Sequence, residues 1–264
     1  MKVGVNWSGQ RELPALRDVL NKGNVDFVEI LIDNFLCVDP KEISNFLSGI
    51  PVNFHIMNSK FLFRDERELF NISNSINRLA DHLQPGYISD HIGIFYADEL
   101  PLPQMAEISY TNDIESTLTS ISIWSKLLGT ELLLENYPSK LTQNIGQAEF
   151  YEIVLKESNS KLLFDISNAV IASINTGYEL SNWKHLIKNC QNFHIGGYEF
   201  SSTLPSLAID THAERLSEST LNFARNIFSE FNDITVSVER SDNFSPSDWL
   251  ADVNMVRDLN NEYA

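Results

Sequence analysis

The sequence predicts a (β/α)₈ barrel. Two observations carry that prediction. Eight short apolar runs, rich in β-branched and aromatic residues, alternate with longer segments of helical periodicity along the 264 residues. Eight parallel strands also close a barrel of this type, which commonly takes about 250 residues as one domain. One catalytic domain over residues 1–264 is the expected organisation.

The first run, 2–7 (KVGVNW), is not followed by the glycine-rich turn of a dinucleotide-binding sheet, which argues against an open doubly wound fold. Runs 26–32 (DFVEILI) and 51–57 (PVNFHIM) come next. Segment 65–83 places Leu69, Ile72, Ile76, Leu79 and Leu83 three and four residues apart, which predicts an amphipathic helix. Run 86–91 (GYISDH) precedes a second such helix, 114–128, built on Ile114, Leu118, Ile121, Trp124, Leu127 and Leu128. Runs 131–135 (ELLLE), 161–165 (KLLFD) and 191–196 (QNFHIG) are near-continuous apolar stretches, as strands buried on both faces should be. A helix is predicted over 213–231, then a last strand at 234–239 (ITVSVE). The closing helix, 246–259, has Ser245 at its cap and Pro246 in its first turn.

Hydrophobic residues make up 43% of the chain, enough for one large core. The net charge of −17, with no clustered Lys or Arg, points away from nucleic acid. Two cysteines, Cys37 and Cys190, make no disulfide framework and suit a reduced, cytoplasmic setting. The start, Met1 to Trp7, has no apolar leader, and no run of about 18 apolar residues exists, so no membrane association is expected.

Function is read from what lies at the strand ends. His55 lies in the third strand and His91 closes the fourth. Glu135 closes the fifth, Asp165 the sixth, and Glu239 the eighth, while His194 lies in the seventh. A closed barrel brings these ends to one mouth, where the βα loops build active sites. Asp210 and His212 follow the seventh strand, and Asn168 follows the sixth. Each residue alone has an ordinary reading, as a helix cap, an ion-pair member or a hydrogen-bonded core histidine. Together they need more positive charge than Lys60, Arg64, Lys140 and Arg240 supply nearby, and metal ions would provide it. His82 and His185 fall in helical patterns and serve as a control. Cys37, after the second strand, is either an ordinary loop residue or a neighbour of the site. Imidazole and carboxylate without thiolate suit iron, manganese or zinc. Nine candidates exceed the needs of one ion, so two or three ions with Glu135 bridging is the economical arrangement. Gly196-Gly197 has two readings, close approach of a substrate or packing.

Several segments carry a resemblance. They are Phe27 to Leu36, Phe54-His55-Ile56-Met57 with Ser59 to Leu62, Ser89-Asp90-His91-Ile92, Leu134 to Ser139, Phe164-Asp165 with Ser167-Asn168-Ala169, and Asp210-Thr211-His212. In this order, spread over most of the chain, they resemble the multinuclear non-haem iron-dependent oxidases, once a domain of unknown function, and specifically the methanobactin-building branch. The resemblance implies a TIM barrel of the xylose-isomerase-like kind. It implies His55, His91, Glu135, Asp165, Asn168, His194, Asp210, His212 and Glu239 as ligands of two or three irons of mixed Fe(II)/Fe(III) state. Of these, His55, His91, Glu135, Asp165, His194 and Glu239 would carry the catalysis. It further implies dioxygen as co-substrate, a cysteine-containing precursor peptide (MbnA), and a small partner protein (MbnC) in a heterodimer. The implied reaction converts a peptide cysteine to an oxazolone with an adjacent thioamide. One departure is visible: many relatives have an acidic residue directly after Glu-Arg, whereas this chain has Ser241 and then Asp242. The rival readings are a divalent-metal barrel of the sugar isomerase or endonuclease IV type, and a module whose metals only organise a peptide-docking surface.

Overall fold

The computed structural model describes residues 1–97, 100–231 and 233–261. All eight predicted runs are strands: β1 (Lys2–Trp7), β2 (Phe27–Leu31), β3 (Val52–Ile56) and β4 (Ile88–His91) come first. Two further strands, β5 (Ile94–Ala97) and β6 (Leu100–Ala106), form an antiparallel hairpin that the sequence reading did not foresee. Then come β7 (Leu132–Glu135), β8 (Lys161–Asp165) and β9 (Asn192–Gly196). A second unforeseen hairpin pairs β10 (Tyr198–Phe200) with β11 (Ala208–Asp210), and β12 (Thr235–Glu239) ends the series. The parallel strands close in the order β1-β12-β9-β8-β7-β4-β3-β2. The barrel is therefore the predicted one, with a hairpin inserted after its fourth strand and another after its seventh.

Nine α-helices of the described residues connect the strands: α1 (Leu13–Lys22), α2 (Pro40–Leu47), α3 (Glu66–Leu83), α4 (Ile114–Leu128), α5 (Gln147–Ser158), α6 (Ile166–Thr176), α7 (Lys184–Ile187), α8 (Glu218–Phe228) and α9 (Pro246–Asn261). Local chemistry sets several starts. Asp65 accepts from the Glu68 backbone N–H while Glu68 reaches back to Asp65, a capping box that begins α3 where the periodicity begins. Ser217 accepts from the Thr220 N–H, so α8 begins at Glu218, five residues later than the apolar spacing suggested. Leu216 is buried, but it packs from the loop before that cap.

Pleat alternation divides each strand between two environments. Val3, Val5, Val28, Ile30, Phe54, Leu132, Leu134, Phe164, Val236 and Val238 face outward into the apolar layer shared with the helices. The alternate positions include Asn6, Glu29, Asn53, His55, Ser89, His91, Glu135, Asp165, His194, Ser237 and Glu239, all buried. Strand register sets them side by side: Asn6 opposite Glu29, Glu29 opposite Asn53, His55 opposite Ser89, His91 opposite Glu135, and Asp165 opposite His194. The interior is thus polar toward the C-terminal mouth. Nearer the other end Phe27 fills it; a Cβ on Gly4 would lie 2.4 Å from that ring.

Gly196-Gly197 turns out to serve packing. A Cβ on Gly196 would meet the His212 ring at 2.5 Å, and one on Gly197 would lie 1.9 Å from the Glu214 carbonyl oxygen. No described helix is long and apolar enough to cross a membrane. Gly197→Ala should lower stability by about 1–3 kcal/mol, since backbone cannot yield to the new methyl. Gly9→Ala, with nothing within 4 Å of the added carbon, should leave the thermal midpoint unchanged. Equal midpoints for the two variants would contradict this packing role.

Candidate metal centre

The nine side chains singled out in the sequence form one connected cluster at the mouth. His55 and His91 approach each other through their Nε2 atoms at 2.9 Å. Each also lies 3.4 Å from Glu135 Oε2, through His55 Nε2 and His91 Nδ1. Glu135 Oε1 is 3.6 Å from His194 Nδ1, which is 3.2 Å from Glu239 Oε2. Glu239 Oε2 is in turn 3.7 Å from His212 Nε2, and that nitrogen is 2.7 Å from Asp210 Oδ1. Asp165 belongs to a four-residue group with Glu135, His194 and Glu239, whose ligand atoms all lie within 4.8 Å of one another. Asn168 donates from Nδ2 to Glu135 Oε1 at 3.2 Å.

Strand and turn chemistry hold these groups rigidly. His55 Nδ1 is 2.8 Å from Ser89 Oγ, whose hydroxyl donates to the Phe54 carbonyl at 3.2 Å. The serine proton is thereby used, so His55 Nδ1 carries the hydrogen and Nε2 presents a free lone pair to the cluster. Asp165 ends β8 and caps α6 directly: its Oδ1 accepts from the Asn168 N–H at 2.7 Å. Asn136 braces the same strand end, accepting from the Asp165 N–H and donating to its carbonyl. The β10–β11 hairpin carries Asp210 inward, and His212 follows in the left-handed region with φ of 48°. The room that Gly196 leaves lets its ring lie against β9.

The arrangement is electrostatically incomplete on its own. Among the described residues no Lys or Arg pairs with Glu29, Glu135, Asp165, Asp210 or Glu239. Arg240, the nearest in sequence, is buried with its guanidinium on Asp252 at 2.7 Å. Asp242 pairs with Arg11 on the surface, so the departure after Glu-Arg places no acid in the cluster. Glu135 Oε2, Asp165 Oδ2, Asn168 Oδ1, both nitrogens of His194, Asp210 Oδ1 and His212 Nε2 are buried without an in-line hydrogen bond. Buried polar atoms are nearly always satisfied, and so many converging exceptions point to a missing positive partner. Among the described residues three groups could each hold an ion, Glu29–His55–His194, His55–His91–Glu135 and Glu135–Asp165–His194–Glu239, and Glu135 belongs to the last two. Oxygen and imidazole donors fit a transition-metal ion of borderline or hard character.

Titration follows the same logic. Burial pushes Glu135 up to about 8. Burial, with the nearby charges of Glu239 and Asp210, pushes Asp165 up to about 7. Burial lowers His55 to about 3 and His91 to about 4. For His212 burial is outweighed by Asp210 and Glu239, which raise it to about 10.

Sequence reasoning missed three contributors. Glu29 on β2 is buried, with Oε1 2.7 Å from His194 Nε2. It also receives a short hydrogen bond from Tyr87. Ser89 fixes the His55 tautomer. The signal for Glu29 was present, since a charged residue inside Phe27-Val28-Glu29-Ile30-Leu31 needs a buried partner. The control held: His82 is exposed, and His185 pairs with Glu152 at 3.3 Å on the surface. Cys37 is exposed and does not line the mouth. A cavity of about 390 Å³ opens above the cluster, walled by Met57, Met105, Tyr137, Lys140, Ile209 and Thr211 among others.

A family model described as "RiPP precursor modification enzyme MbnB/TglH/ChrH" matches residues 2–261. A "UPF0276 protein" of Caulobacter vibrioides (strain NA1000 / CB15N) is 25% identical over 249 residues, spanning 88% of this chain and 85% of its own. In shape, the chain is similar to D-allulose 3-epimerase from Methylomonas sp., with a TM-score of 0.65, 11% identity and 98% of each chain covered. It is also similar to a xylose isomerase-like TIM barrel protein from Mycobacterium smegmatis in complex with magnesium, with a TM-score of 0.61 and 12% identity over 94% of this chain and 88% of that one. Identities this low speak for the fold alone.

The raised groups set the sign of a pH test. Protons on Asp165, Glu135 and His212 near neutrality must leave before an ion can take their lone pairs, so divalent-metal affinity should rise from pH 6 to pH 8. Calorimetric titrations of metal-free protein with zinc, run in buffers of different ionisation enthalpy, should register proton release. Affinity that is flat or falling over this interval would contradict the assignment.

Proposed function

This chain belongs to the MbnB/TglH/ChrH family of RiPP precursor modification enzymes, and we propose that it is an iron- and dioxygen-dependent oxidase acting on cysteine in a ribosomally made precursor peptide. The observation that carries the reading is the buried cluster in which Glu135 is common to two ion-holding groups beneath an open cavity. A carboxylate common to two such groups suits a centre of more than one ion.

In this reading His55, His91 and Glu135 would hold one iron, and Asp165, His194 and Glu239, together with Glu135, would hold a second. Asn168, Asp210 and His212, nearer the rim, offer ligands for a third. When bound, iron supplies a site for the substrate thiolate and a path for electrons from peptide to dioxygen. The chain's own work is to bind, orient and shield. Strand-borne histidines and carboxylates fix the ligand positions. The cavity, partly walled by Met57, Met105 and Tyr137, gives an extended peptide an apolar flank. Lys140 is the one Lys or Arg lining it among the described residues.

The specific reaction we propose is that of the methanobactin branch. A cysteine of an MbnA-type peptide becomes an oxazolone with an adjacent thioamide, and an MbnC-type subunit presents the peptide as the other half of a heterodimer. Four electrons and four protons leave each modified cysteine unit, and one dioxygen becomes two waters. Two unpaired cysteines, Cys37 and Cys190, agree with a reducing cytoplasmic setting. A metal-dependent isomerase or hydrolase on the same barrel would instead be indifferent to oxygen.

Protein purified without oxygen should contain two or three irons per chain. With candidate peptide and its partner subunit in air, it should remove four hydrogens per cysteine, read by mass spectrometry. Loss of a carbon-bearing fragment would place it with relatives of different outcome. His55→Ala and Glu135→Ala should lose iron and at least about 100-fold of peptide-dependent oxygen uptake. Iron-free variants that still consume oxygen with peptide would sink the oxidase reading. Bound zinc, magnesium or manganese with oxygen-independent turnover would favour the isomerase or hydrolase.

A further inference from the structure

We infer that Tyr87 and Glu29 form a buried relay that fixes which nitrogen of His194 faces the metal centre, and so sets how tightly that histidine's ion is held. The inference rests on the reading of His194 as a ligand.

Glu29 lies in the middle of β2 with 1% of its surface exposed, and His194 has none exposed. Among the described residues the carboxylate has no Lys or Arg partner. Its two oxygens are divided between two neighbours. Tyr87 donates its hydroxyl proton to Oε2, and Oε1 lies 2.7 Å from His194 Nε2. The other ring nitrogen, Nδ1, points the opposite way, 3.2 Å from Glu239 and 3.6 Å from Glu135. A neutral imidazole holds one proton and one lone pair. A carboxylate at Nε2 draws the proton to that side and leaves the Nδ1 lone pair aimed at the ion. It also makes the ring a stronger donor. In the ring's present rotation Oε1 and Nε2 are in contact without an in-line hydrogen bond.

Two facts argue against Glu29 as a ligand in its own right. Its Oε2 is engaged by Tyr87. Glu29 could also join an ion-holding group with His55 and His194, but it brings one carboxylate to Nε2, whereas Glu239 and Glu135 bring two to Nδ1. Rigidity supports the relay as well. Glu29 is locked in register between Asn6 and Asn53, and Tyr87 immediately precedes β4, which carries His91.

The test measures anaerobic ferrous-ion binding against a competing chelator, together with Mössbauer spectra of ⁵⁷Fe-loaded protein. The variants are Glu29→Gln, Tyr87→Phe, His194→Ala and the Glu29→Gln/His194→Ala pair. Glu29→Gln keeps the shape and loses the charge. It should weaken one ion about 10–100-fold and shift one iron component, while the iron of His55 and His91 keeps its signature. Tyr87→Phe, which leaves the carboxylate in place, should move in the same direction by less, and it carries the test if Glu29→Gln does not fold. On the His194→Ala background, Glu29→Gln should have no further effect. Wild-type binding in both relay variants would overturn the relay while leaving the oxidase reading intact. A further ion lost in the double variant would make Glu29 a direct ligand and overturn it too. Wild-type protein that binds no iron would overturn both.

Discussion

Acidic groups gathered inside a closed barrel, answered by histidines but, among the described residues, by no Lys or Arg, are the constraint on which this structure turns. Barrels of this architecture usually fill their interior with layers of branched apolar residues. Here the upper interior holds Glu29, Glu135, Asp165, His194 and Glu239, each buried. Removing so many carboxylates from water costs several kcal/mol apiece unless opposite charge comes with them. Arg240, which adjoins Glu239 in sequence, turns away to Asp252. The chain therefore separates its two tasks by strand face. Outward residues such as Val28, Phe54, Leu134 and Val238 make the apolar layer that holds the fold together, and inward residues make the chemistry. One-residue alternation is all that keeps the two apart.

That same alternation explains how much could be read before any coordinates. Parallel strands covered on both faces leave nearly continuous apolar runs, so all eight were legible. Polar residues such as Glu135 after Leu132-Leu133-Leu134, or Asp165 after Phe164, stand out at the ends of such runs. Glu29 stands inside one, where attention to strand ends passed over it. The β5–β6 hairpin was hidden by Pro101 and Pro103, residues that argue against a strand except at an edge, which is where a two-stranded hairpin can carry them. The β10–β11 strands are three residues each, too short for any period to register. At α8 the apolar spacing ran past the true start because a buried loop residue, Leu216, imitated the helical stripe.

The hairpins also show how loops become walls without becoming loose. Tyr137, just beyond β7, donates its hydroxyl to the Met105 carbonyl of β6 at 2.8 Å. Glu107, one residue past that strand, accepts from both Tyr110 and Ser139, and Gln147 at the start of α5 donates to Tyr110, Tyr137 and Ser139. Desolvation raises the Glu107 carboxyl, in keeping with its place in a largely enclosed network. The side of the mouth formed by β6 is thus joined to the turn that follows Glu135. The strand that carries Glu135 and this cavity wall are thereby tied together by hydrogen bonds.

Asp165 gives this economy its sharpest form. One oxygen starts α6 by capping it, and the other is buried without a hydrogen bond in the cluster with Glu135, His194 and Glu239. Asparagine is the exchange that separates those duties, because it keeps an acceptor for the cap and removes the negative charge, while glycine or alanine removes both. Natural drift at such a site is confined on two counts at once. A descendant that had abandoned the chemistry could keep the helix start with asparagine, so the carboxylate itself, and not merely a capping side chain, is the trait that speaks for an ion.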